Sequence, residues 1–119
     1  MLELIVFALL AAGAGAGAMA IVVLAIITIA EIFDWFRSRS HLRETDKDVI
    51  AFTLKEALAS GKHATVKGAF ASSDKQYKVV QGFFNTKTGQ VVDSRQIHSD
   101  RVDAKVREAH SSDVLAVYE

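Results

Sequence analysis

Few side chains in this sequence have the chemistry to bind or catalyse: four histidines, His41, His63, His98 and His110, no cysteine, and scattered serines and lysines. A metal centre needs ligands converging from fixed elements, and no pair of these histidines has the i, i+4 spacing that sets two ligands on one helix face. His98, His110 and Asp113 flank one expected helix and come nearest to a cluster. Gly61-Lys62-His63 has the end of a phosphate loop without its upstream glycine or its following Ser/Thr, and it closes an expected helix instead of opening one. Ser72, Ser73 and Ser94 lack the nucleophile-elbow sequence. Without cysteine there is no disulfide, thiolate metal site or cysteine nucleophile. These residues therefore predict no catalytic set, no metal and no cofactor, and a non-enzymatic role.

One charge asymmetry points to binding. Lys62, Lys67, Lys75, Lys78 and Lys87 fall in the strand-rich middle of the chain against a lone Asp74. Lys62, Lys67 and Lys78 are candidate contacts for an anion, either a lipid headgroup or a small phosphorylated ligand. Lysines at strand edges also guard against edge-to-edge aggregation, which is the competing reading. Net charge is zero and no aromatic residues interleave with the lysines, so no nucleic-acid partner is expected.

The elements that would position these residues begin with an uncharged apolar run from Leu4 through Ala30. As one helix it would reach roughly 40 Å, more than the ~30 Å of a bilayer core. The run predicts a single-pass membrane helix. A cleaved signal peptide is disfavoured because no Lys or Arg precedes the run and Ile21 to Ile27 continue past any small-residue cleavage site. Arg37, Arg39 and Arg43 follow the span, so the positive-inside rule puts the N-terminus outside and the C-terminal domain in the cytoplasm. Phe33, Trp35 and Phe36, with Arg37 and Arg39, form the expected membrane-interface anchor.

Gly13, Gly15 and Gly17, with Ala12 and Ala16, give the span a thin waist of small-xxx-small spacings, the pattern that lets helices in lipid approach closely. Over these few positions the alternation of glycine resembles the inner helix of rotary-ATPase ring subunits. The second helix and mid-membrane carboxylate of that family have no counterpart here, so no ion-translocating role is carried over.

Beyond the span, residues 1–43 read as helix and juxtamembrane stalk, and 44–119 as a small α+β domain of order α-β-β-β-α-β on a mainly antiparallel sheet. Thr45 is the expected cap of a helix carrying Val49, Ile50, Leu54, Ala57 and Leu58 to Gly61. His63 to Phe70 alternates as a strand; Tyr77 to Phe84 is apolar on both faces and belongs at the sheet centre. Asn85-Thr86-Lys87-Thr88-Gly89 turns the chain into a partner strand over Gln90 to Ile97. Ser99 is the expected cap of a helix turning Val102, Val106 and Ala109 inward, and Val114 to Tyr118 is a last strand. The function this implies is a scaffold or accessory subunit, either self-associating or packed with a partner membrane subunit through the span. The alternative is a ligand-gated membrane effector whose domain senses a small phosphorylated molecule or partner and perturbs the bilayer.

Overall fold

The apolar run does not form one helix. The computed structural model describes residues 1–13, 19–56, 66, 68–111 and 113–118. In it helix α1 (Leu2–Ala11) stops before Gly13, whose φ of 80° is a left-handed geometry that ends helical propagation. Ala20–Val23 then form strand β1. Ile21, Val22 and Val23 are β-branched and stiff at χ1, which favours the pleated sheet wherever a partner edge is open to them. Among the described residues no helix is long and apolar enough to cross a membrane. The expected transmembrane helix, and with it the single-pass placement with a cytoplasmic domain, is therefore corrected: part of the run is a helix lying on the sheet and part is a strand within it.

Helix α2 (Ile29–Arg37) begins within the tail of the same run, where Thr28 caps it by accepting from the Glu31 N–H at 3.1 Å. A turn at residues 38–40 separates it from the short α3 (His41–Glu44), so the segment read as a juxtamembrane stalk is two helices. Thr45 does not cap a following helix; its hydroxyl donates back to the His41 carbonyl at 2.7 Å. Val49–Lys55 form strand β2, a second correction. An apolar run of this length reads equally as helix or buried strand, and β-branched Val49, Ile50 and Thr53 with Phe52 tip it to the sheet.

Strands β3 (Tyr77–Asn85) and β4 (Gln90–Ser99) make the expected hairpin. The Asn85 side chain accepts from the Lys87 and Thr88 N–H groups at 2.9 and 3.0 Å, and Gly89 takes a φ of 73°. Asp103, not Ser99, caps helix α4 (Ala104–His110), which buries Val106 and His110 while Ala109 faces outward. Strand β5 (Leu115–Tyr118) closes the chain. Of the strand expected over 63–70, Val66, Gly68 and Ala69 lie in tight helical turns, and residues 57–65 and 67 are outside the described set.

The sheet order is β1-β4-β3-β2-β5, with β1 parallel to β4 and the other pairs antiparallel. The fold is thus a small α+β domain on a mixed five-stranded sheet, not a span followed by α-β-β-β-α-β. Registers such as Phe52↔Gly82 and Val80↔Gln96 assign side chains to two faces. One face carries Phe52, Leu54, Val80 and Phe84 under Ile5, Val6 and Leu9 of α1, with Val66 and Phe70. The other carries Val79, Phe83 and Ile97 under Ile32 and Trp35 of α2 and Val106 of α4.

Candidate functional site

The aromatic and basic residues expected at a membrane interface pack against the second face of the sheet. Trp35 is buried and stacked on Phe83 with ring centroids 5.7 Å apart, and Phe36 meets Phe83 edge-on at 5.3 Å. Phe33 packs edge-on against Tyr118 at 5.8 Å. Arg39 lies over the Trp35 ring at 4.2 Å and donates from Nε to Asp93 at 2.8 Å, while Arg37 pairs with Asp34 at 3.0 Å. Beneath α2 the buried Arg95 donates to the Gln81 Oε1 at 2.8 Å, Gln81 donates to the Ile32 carbonyl at 2.6 Å, and Glu31 pairs with Arg95 at 3.3 Å. Burial lowers the Arg95 pKa, and Glu31 works against that shift. The position of α2 is thereby fixed by both stacking and buried polar pairing.

Where α2 turns into α3, a groove of about 510 Å³ opens between Phe36, Arg37, Ser40, Arg43, Glu44, Lys47, Val49 and Phe83. Val49 and Phe83 seal its floor and Phe36 is half-buried above them. Arg37, Arg43 and Lys47 line it against one acid, Glu44. Among the described residues neither Arg43 nor Lys47 has an ion-pair partner. An apolar base with uncommitted cations around it is chemistry for holding an organic anion. The sequence named Phe36 and Arg37 for a different purpose and gave Arg43, Lys47 and Ser40 no binding role.

A buried polar chain lies nearer α4. His110 Nδ1 is 2.9 Å from the Asp113 carbonyl oxygen, which can only accept, so Nδ1 carries the proton and Nε2 is an acceptor. The Thr53 hydroxyl, 2.8 Å away, then donates to Nε2, and Tyr118 donates to Thr53 Oγ1 at 2.8 Å. Every group is satisfied internally, and Thr53 and His110 are sealed from solvent. Burial pushes the His110 pKa below its ordinary value and the Tyr118 pKa above. Tyr118 is its outermost member, lining a hollow with Ile29, Phe33, Lys105 and Glu108.

His98 is on the opposite face of the sheet, 3.0 Å from Gln96 Oε1, so it does not meet His110 as the sequence suggested. Its pKa is lowered by burial and by nearby Lys78. Lys78 is paired with Glu56 at 3.7 Å and mostly buried; Lys62 and Lys67 lie outside the described residues. Of the small-residue waist, Ala12 and Gly13 form the turn that ends α1, and Gly15, Ala16 and Gly17 lie outside the described residues. Among the described residues no group of three or more His, Asp or Glu could hold a metal ion.

The remaining candidate is the outward side of α1. This helix is apolar all round, so covering the sheet with Ile5, Val6, Ala8 and Leu9 leaves Leu4 61%, Phe7 74% and Leu10 43% exposed. Register places Ile21 and Val23 of β1 on the same face of the sheet as α1, and both are exposed.

Fold and grooves together define a small α+β domain with open grooves on one side of a mixed sheet and exposed apolar side chains on the other. No family model, curated protein or solved structure matches the chain.

Proposed function

We propose that this chain is a non-enzymatic interaction module that self-associates through the outward face of α1 and leaves the opposite side of its sheet free for a partner or ligand. The exposure of Phe7 between Leu4 and Leu10 carries the reading. Monomeric proteins rarely leave large apolar side chains in one contiguous stripe, because each one in water forgoes about 1.5–3 kcal/mol of burial. The stripe is also symmetric in kind: leucines stand three residues to either side of Phe7. Two copies packed antiparallel about a two-fold axis would set Phe7 against Phe7 and Leu4 against Leu10, the self-complementary arrangement a two-fold interface needs. Glu3, the one charge on α1, sits 3.9 Å from the α-amino group and borders the stripe at its N-terminal end.

That Thr53 and His110 are sealed from solvent and bonded to one another supports a binding role over a catalytic one, because neither faces solvent, and Tyr118, which lines a hollow, has its proton held by Thr53. The test is mass in solution by analytical ultracentrifugation from about 1 to about 100 µM, for the native chain and Phe7→Asp. A two-copy species that grows with concentration is expected, with dissociation at least about tenfold easier in the variant. Phe7 is mostly outside the core, so Phe7→Asp leaves the melting transition of the isolated fold in place. A native chain that stays monomeric throughout would sink the proposal.

A further inference from the structure

We infer that the α2–α3 groove is a binding site for a small organic anion with a flat apolar body, an aromatic carboxylate or phosphate monoester in chemical class. Three observations converge on it. Its volume of about 510 Å³ is that of a small-molecule site. Its base is aromatic: Phe36 meets Phe83 edge-on at 5.3 Å and Tyr118 at a tilt at 5.4 Å, so a planar ligand can extend an existing aromatic cluster. Its rim holds Arg43 and Lys47 with no acidic partner among the described residues, whereas Arg37 is engaged by Asp34 and Arg39 by Asp93. Arg43 and Lys47 are therefore the two cations whose hydration a bound anion would replace.

Arg43 lies in the last turn of α3 and Lys47 follows it by four residues, before the chain enters β2 at Val49. A carboxylate held between them would leave the apolar body over Phe36. Ser40, one turn before Glu44 on the same rim, offers a hydroxyl to the ligand's polar edge. Glu44 disfavours a second negative charge at the α3 end of the groove, which selects for ligands whose charge is at one end only.

The groove and the α1 stripe lie on opposite faces of the sheet, so this inference stands or falls independently of self-association. Trp35, the chain's single tryptophan, is stacked on Phe83 and 5.8 Å from Phe36, which makes its emission a built-in reporter of occupancy. The experiment titrates the native chain with 2-naphthoate and with the neutral 2-naphthamide, following Trp35 fluorescence. A saturable change with naphthoate, and binding of the amide about tenfold weaker or less, is expected. Arg43→Gln and Lys47→Gln each weaken naphthoate binding by about tenfold, with thermal melting unchanged because neither side chain has an ion-pair partner among the described residues. No saturable response up to about 10 mM, equal affinity for acid and amide, or affinity indifferent to both substitutions would each overturn the assignment.

Discussion

Single residues decide how this sheet fits together and how it answers to pH. At Gly82 a Cβ would stand 2.7 Å from the Asp93 carbonyl oxygen, 3.0 Å from Ser94 Cβ and 3.2 Å from the Phe52 ring. The nearest of these is backbone of the neighbouring central strand and cannot swing aside. Gly82→Ala should therefore cost about 1–3 kcal/mol in urea unfolding, as overpacked cores do. A sequence reader can suspect close packing at a glycine between apolar strand residues, but the partner backbone is a tertiary fact. His110 and His98 carry the second prediction. Both have folded-state pKa values lowered by burial, so between those values and the ordinary one near 6.5 the unfolded chain binds more protons than the folded one. Stability is full above the ordinary value and is lost as pH falls below it. Denaturation midpoints should decline from about pH 7 to about pH 5, and His110→Gln should flatten that slope. Protonating Nε2 of His110 would also remove the lone pair that receives the Thr53 hydroxyl.

At the scale of elements, α2 shows how a local signal can be hidden by a stronger one. Thr28 and Glu31 have the Thr-x-x-Glu spacing of a capping box, and Ile29, Ile32, Trp35 and Phe36 follow at helical spacing. The long apolar run masked this start, because its hydrophobicity alone satisfies the rule for a span. Once α2 is a surface helix, its aromatic residues turn onto the sheet, and Trp35 becomes its main anchor. Trp35→Ala should destabilise the fold by about 3–5 kcal/mol, the range for removing a large buried aromatic. Arg39→Ala, which loses a half-exposed pairing with Asp93 and the contact over the Trp35 ring, should cost only about 1 kcal/mol in the same chemical denaturation assay. The Asn85–Gly89 turn is the opposite case: its residue types specify side-chain acceptance and a left-handed glycine within five positions, so the hairpin was readable locally. Val49–Lys55 was not, since period-2 and period-3.6 patterns both accommodate a run buried on two faces.

At the scale of the whole molecule, the sheet has more apolar sequence available than it can cover. α1 serves both as lid for Phe52, Val80 and Phe84 and as an exposed stripe, and Ile21 and Val23 extend the exposed apolar surface at the β1 edge. Removing the stripe with Leu4→Ser, Phe7→Ser and Leu10→Ser should raise solubility and abolish any rise of the unfolding midpoint with protein concentration, because the stabilisation lost is that of copy-to-copy contact. The sequence by itself determined the exclusion of thiol chemistry, the β3–β4 hairpin with β3 at the centre of the sheet, and the apolar surplus in residues 4–30. Only the tertiary structure decided what becomes of that surplus. A run of Ile, Val, Leu and Ala satisfies its side chains equally in lipid or in a protein core, and the choice rests on where its backbone N–H and C=O groups find partners. β4 supplies them to β1 through a parallel register from Ala20↔Arg95 to Val23↔His98, and no reading of residues 4–30 alone contains that partner. The same holds for the groove: Phe36, Arg43 and Val49 are near in sequence, but Phe83 reaches them only because β3 pairs with β2, which completes the groove's floor.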